Sequence, residues 1–138
     1  MRSALVEKPV KDRSMLKLYT YQACSTCQTA VKWLRAAAIP FTEIPIREAP
    51  PSLAELNAML AARGGELRLL FNTSGQDYRA LGLKDKLSKM PAADALKLLS
   101  TNGNLVKRPF AIDEKRQIFF TGFREAEWQA AFDISASR

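Results

Sequence analysis

The chain has 138 residues, about one domain's worth, with 47% hydrophobic and 25% charged residues; this is ordinary for a soluble globular fold and wrong for a disordered, collagen-like or coiled-coil chain. Lys and Arg number 21 against 14 Asp and Glu, a net charge of +7, which favours anionic partners but comes without the long basic run that would mark direct nucleic-acid binding. Histidine is absent and there are two cysteines, which excludes Ser-His-Asp and Cys-His catalysis and His-ligated zinc or haem, and no apolar run approaches the roughly 20 residues of a membrane span.

Residues 1–14 are expected to form a flexible tail, because Ala4, Leu5 and Val6 are too short an apolar cluster for a secretory segment. Met15–Tyr21 alternates Leu16, Leu18 and Thr20 with Lys17 and Tyr19, the pattern of a strand. After the turn Gln22-Ala23-Cys24, Ser25–Ala38 recurs at helical spacing through Ala30, Val31, Leu34, Ala37 and Ala38, and Ile39-Pro40 ends it. Phe41–Ile46 predicts a second strand, with Pro45 placing it near an edge.

Ala49-Pro50-Pro51 is a connector. Ser52 and Glu55 match a capping box, in which each satisfies a free backbone donor of the other. Leu53, Leu56, Met59 and Leu60 then predict one buried helix face, closed by Gly64-Gly65. Glu66–Leu83 predicts short helical pieces, and Pro91 opens a helix to about Ser100 with Ala92, Ala95, Leu96 and Leu99 inward. Asn102-Gly103-Asn104 is a turn. Pro109–Asp113 and Arg116–Phe120 predict a hairpin around Glu114-Lys115, and Arg124–Phe132 a last helix with Trp128, Ala131 and Phe132 inward. The order is β-α-β, a helical block, then β-β-α. A single domain over residues 15–133 is expected, with a helical insertion at about 52–105 and residues 134–138 as a second tail.

Cys24 and Cys27 form a Cys-x-x-Cys at a strand-to-helix junction. A helix N-terminus presents free N–H groups and about half a positive charge. Both favour thiolate over thiol in a cysteine placed there, and thiolate is the nucleophile of thiol–disulfide exchange. Cys24, at the junction, is the candidate nucleophile. Cys27, one turn in and less exposed, is placed to attack a mixed disulfide on Cys24. Thr26 offers an amide and a hydroxyl next to the sulfur. Two thiols fall short of a four-ligand zinc site, so no metal is expected. A cysteine pair of this kind, with no signal-peptide pattern read in the sequence, makes the cytoplasm the expected compartment.

Lys107-Arg108-Pro109 precedes a strand. The base rate of cis X-Pro bonds, about 5–6%, does not by itself predict a cis bond there. Phe110, Phe119, Phe120 and Trp128 are expected in the core rather than on a base-stacking platform, since Phe119 and Phe120 must face opposite sides of a strand.

The segment LYTYQACSTCQTAVKWL, followed by IPF, SLAEL, LGL and KRPFAIDEK, resembles the ArsC/Spx family: glutaredoxin-type arsenate reductases, the redox regulator Spx and related thiol oxidoreductases. The resemblance covers about Leu16–Phe132. It implies an α/β, thioredoxin-like fold with a mixed sheet of about four strands and a helical insertion, and a cis proline at Pro109 that turns Arg108 toward Cys24. It also implies Cys24 as nucleophile, Cys27 as the second cysteine of the Spx-type pair, and Arg108 as the arginine that holds an oxyanion in arsenate reductases. Ser25, Thr26 and Pro109 would line the bound thiol.

The chain departs from that pattern in three places. Gln28 stands where the family has a basic residue. Phe71 stands where arsenate reductases have an arginine after a Leu-Leu pair. Ile118 or Gln117 falls where a third arginine sits in the last hairpin, with Arg116 and Arg124 as substitutes. Each lost charge-assisted hydrogen bond weakens oxyanion binding by roughly 1.5–3 kcal/mol. The resemblance therefore implies a cytosolic thiol–disulfide oxidoreductase with no bound cofactor and glutathione as reductant, acting on glutathione or protein disulfides. The alternatives are an Spx-like regulator that binds the C-terminal domain of the RNA polymerase α-subunit, and an arsenate reductase.

Overall fold

The computed structural model describes residues 15–132. The expected tails at 1–14 and 134–138 lie outside the described residues. The elements run β1 (Leu16–Thr20), α1 (Ser25–Ala36), β2 (Phe41–Pro45), α2 (Leu53–Ala62), α3 (Gln76–Ala80), α4 (Leu83–Lys86), α5 (Ala92–Thr101), β3 (Phe110–Asp113), β4 (Ile118–Thr121) and α6 (Glu125–Ala131). Short 3₁₀ turns occupy Leu67–Leu70, Leu87–Lys89 and Gly103–Leu105.

The sheet order is β2-β1-β3-β4. β1 is parallel to β2, with Leu18 opposite Glu43, and antiparallel to β3, with Leu18 opposite Ala111. β3 and β4 are antiparallel. This is the mixed four-stranded sheet of a thioredoxin-like fold, with α2 to α5 inserted between β2 and β3.

The central strands are covered on both faces. Leu16 and Leu18 pack with Leu34 of α1, Ile118 and Trp128 of α6 on one side. Tyr19, Phe110 and Ile112 pack on the other side with Leu56, Met59 and Leu99 from the inserted helices. Phe119 and Phe120 divide between the two sides, as strand alternation requires. Phe120 stacks on Trp128 with ring centroids 5.2 Å apart. Among the described residues no helix is long and apolar enough to cross a membrane.

The structure corrects several details of the sequence reading. α1 stops at Ala36, and Ala38 lies beyond it in a left-handed conformation at φ 59. Leu53, Ala92 and Ala131 are exposed, because each sits where its short helix clears the core. β4 starts two residues later than expected. Asp113 explains this: its carboxylate accepts the Arg116 backbone N–H at 3.2 Å and Arg116 Nε at 2.8 Å, which keeps Arg116 in the turn.

Glu55 does more than cap. The capping box with Ser52 is present, but Glu55 is also buried and accepts hydrogen bonds from Tyr19 OH at 2.6 Å and Lys17 Nζ at 2.8 Å. This pegs the start of α2 to β1. Burial alone would raise the Glu55 carboxyl, but Lys17, Tyr19 and the Ser52 N–H outweigh it and hold the group below its ordinary range. A carboxyl depressed in the folded state contributes stability above its unfolded pKa and loses it as pH falls through the folded value. Glu55→Ala is expected to cost about 1–3 kcal/mol at neutral pH, chiefly because it orphans the buried Tyr19 hydroxyl; the ion pair to half-exposed Lys17 adds little. The gap between wild type and variant in urea unfolding should narrow on acidification below about pH 4.3, the unfolded reference, as the charge-dependent part is lost. A gap independent of pH would mean that the charge contributes nothing.

Candidate active site

Cys24 is the N-cap of α1, with extended backbone at φ −88 and ψ 116. Its N–H donates to the Tyr21 carbonyl at 2.9 Å, which tightens the turn out of β1. Its sulfur accepts the Cys27 backbone N–H at 3.4 Å. The amide that meets the sulfur is thus that of Cys27, not that of Thr26 as expected from sequence. Ser25 and Thr26 are exposed on the first turn of the helix. Gln28, in place of a basic residue, donates from Nε2 to the Gln22 carbonyl at 2.8 Å and staples the same turn.

Both cysteines are free thiols, Cys24 half-buried and Cys27 buried. Burial pushes the Cys27 thiol up to about 12; the Tyr21 backbone and the Arg108 guanidinium pull it down, and the Cys24 sulfur pushes it further up. Cys24, Cys27 and Arg108 therefore share one electrostatic neighbourhood, although Arg108 lies 84 residues along the chain from Cys24 (108 − 24).

The Arg108–Pro109 peptide bond is cis, and Pro109 is buried. The Pro109 carbonyl accepts the Gly122 N–H at 2.8 Å, which joins the start of β3 to the end of β4. The Arg108 guanidinium lies 5.0 Å from the ring centroid of Tyr21, and Arg47 lies 4.8 Å from the same ring. Such cation–π contacts hold a guanidinium in place without neutralising it.

Arg108 opens into a cleft of about 320 Å³ lined by Thr26, Arg63, Lys107, Thr121, Arg124 and neighbours. On the other flank of α1 a second cleft, of about 570 Å³, is lined by Cys27, Gln28, Lys32, Arg35 and Glu43. Among the described residues no group of three or more Cys, Asp or Glu side chains is gathered to hold a metal ion.

The substitutes considered for the family's other arginines separate cleanly. Arg124 lines the cleft. Arg116 does not: it is tied to Asp113 and lies 5.4 Å from the Phe132 ring. Phe71 is buried in the inserted core against Tyr78, and Ile118 is buried under the sheet, so neither position offers a charge. Sequence reasoning missed Arg63, Lys107, Thr121 and Tyr21. Lys107 adjoins the Arg-Pro motif and was within reach of a closer reading. Arg63 ends α2 and Thr121 ends β4, and nothing in their spacing relates them.

The sequence pattern of the ArsC family matches residues 19–131. The chain is 41% identical over 114 residues to the uncharacterized protein YusI of Bacillus subtilis, covering 83% of this chain and 95% of YusI. It is 35% identical over 113 residues to the global transcriptional regulator Spx of Enterococcus faecalis, covering 82% of this chain and 83% of Spx. An ArsC family related protein from Bacteroides fragilis has a similar structure, with a TM-score of 0.79 and 38% identity, covering 86% of this chain and 99% of that one.

Proposed function

The chain belongs to the ArsC family, and from that premise we propose that it is a thiol–disulfide oxidoreductase working through Cys24 and Cys27. The observation that carries this reading is the position of Cys24, at the N-cap of α1 with its sulfur on a backbone N–H and Cys27 buried one turn behind. Cys24 as thiolate attacks one sulfur of a substrate disulfide. A bond forms to the Cys24 sulfur, the substrate S–S bond breaks, and one thiolate leaves. Cys27, after losing its proton, attacks the Cys24 sulfur and expels the second thiolate. The substrate has then gained two electrons, and the protein holds a Cys24–Cys27 disulfide. Two equivalents of a small thiol such as glutathione return those electrons and leave as their own disulfide. The Arg108 cation favours the thiolate of Cys27 as it forms.

The test is a coupled assay with NADPH, glutathione reductase and glutathione, offered a glutathione mixed disulfide or arsenate. NADPH consumption with the mixed disulfide is the expected result. Consumption with arsenate alone would move the reading to an arsenate reductase, despite the apolar residues at positions 71 and 118. A second reading is a redox-sensing regulator, favoured by the 35% identity to Spx. It expects no turnover with either substrate, a Cys24–Cys27 disulfide formed under mild oxidant, and redox-dependent capture of the C-terminal domain of the RNA polymerase α-subunit.

A further inference from the structure

Three buried polar atoms that have no hydrogen-bond partner belong to residues lining one cleft: Arg63 Nε, Arg108 Nη1 and Thr121 Oγ1. A buried donor without a partner is rare and marks a missing ligand, water or ion. Two are guanidinium N–H groups that can only donate, and the third is a hydroxyl that can donate as well as accept, so an acceptor would satisfy all three. Lys107 and Arg124 bring two more cations to the cleft, against the single carboxylate of Glu127, which stands 3.9 Å from Arg124. Thr26, from the Cys-x-x-Cys turn, forms part of the wall.

We propose that Arg63 and Thr121 are specificity-determining residues that, with Arg108, bind a carboxylate of a small thiol-bearing ligand delivered to Cys24. This rests on the oxidoreductase reading and adds the residues that would recognise its thiol ligand. The volume, about 320 Å³, lies at the low end of small-molecule pockets, roughly 300–1,000 Å³. It suits a peptide-sized thiol and is far more room than a bare tetrahedral oxyanion fills. A guanidinium presents its donors as a planar fork that matches the two oxygens of a carboxylate, which a lysine ammonium does not. Arg63 reaches the cleft from the end of α2, Arg108 from the start of β3 and Thr121 from the end of β4. Three separate elements thus place donors around one volume.

Binding is read on the Cys24→Ser protein, where no exchange can occur. S-methylglutathione and inorganic phosphate are titrated separately by calorimetry. S-methylglutathione is expected to bind, Arg63→Gln to weaken it about tenfold or more, and Arg63→Lys and Thr121→Val to weaken it less. Raising the ionic strength should weaken binding to the parent protein more than to Arg63→Gln. With Cys24 present, the ratio of rate constants for glutathione disulfide and for the neutral disulfide of mercaptoethanol should fall by a similar factor in Arg63→Gln. A merely structural role for Arg63 would lower both rates and leave the ratio unchanged. Phosphate binding without S-methylglutathione binding, or an unchanged ratio, overturns the proposal. Because binding is read without turnover, its failure is separable from a failure of the coupled assay.

Discussion

Cys24→Ser is expected to abolish disulfide exchange, by about 10⁴-fold or more, the scale seen when an enzyme loses its nucleophile. Cys27→Ser is expected to fail differently. It keeps the first attack, releases one equivalent of thiol, and stops as a mixed disulfide on Cys24 that mass spectrometry detects intact. The physical basis is the division of labour across one helical turn: Cys24 half-buried at the N-cap, Cys27 buried behind it. The second step should also carry a pH signature. The attacking Cys27 thiol is pushed up to about 12, chiefly by burial, and burial persists in the mixed disulfide. Near neutrality only a small fraction is thiolate, and that fraction rises roughly tenfold per pH unit below the pKa. Single-turnover release of the second thiol should therefore climb steadily with pH through the alkaline range, without levelling near the ordinary cysteine value. An early plateau would assign the rate to another group.

Gly103→Ala is expected to be the most destabilising of the glycine-to-alanine substitutions. A Cβ at Gly103 would overlap the carbonyl oxygen of Ile46, and it would stand 2.7 Å from the Ile46 carbonyl carbon and 2.9 Å from Arg47 Cα. All three obstacles are backbone, so no side chain can swing away. Gly103 is buried in the turn after α5, where it touches the chain just past β2. Overpacking of this kind costs about 3 kcal/mol or more, which for a domain of this size lowers Tm by roughly 10 °C. Gly64→Ala is the control. Its Cβ would meet open space, and only the left-handed φ of 72 opposes it, so about 1 kcal/mol is expected. Chemical denaturation of the two variants decides the matter: equal losses would mean that the contact with Ile46 is not tight.

What the sequence made legible was local. Cys24 and Cys27 sit three residues apart, and a short strand followed by a helical stripe is enough to place them at a helix start. The order of strands and helices followed from periodicity, and the joining of Arg108-Pro109 to the cysteines followed from family resemblance rather than from spacing. Contacts made across the fold were illegible. Glu55 looked like a helix cap because its partner Ser52 is three residues away, while Lys17 and Tyr19 are more than thirty residues off. Arg63 carried no signal in the sequence that related it to Arg108 or Thr121. Leu53 was placed inside by its spacing, but it stands at the first turn of α2, where the helix clears the core and the side chain stays exposed. Asp113 and Arg116 were read as strand residues flanking the turn, and their pairing moved the start of β4.

The peg at Glu55 has a mechanical side. Glu55 and Arg63 belong to one continuous rod, α2 and its C-cap, separated by about 12 Å of helix axis at the usual rise per residue. One end is clamped to β1 and the other projects a guanidinium into the cleft beside Arg108. Helix α2 thus ties a residue of the cleft to the central strand. A substitution that unseats Glu55 therefore removes one of the contacts that fix where α2, and with it Arg63, sits, without altering any residue of the cleft itself.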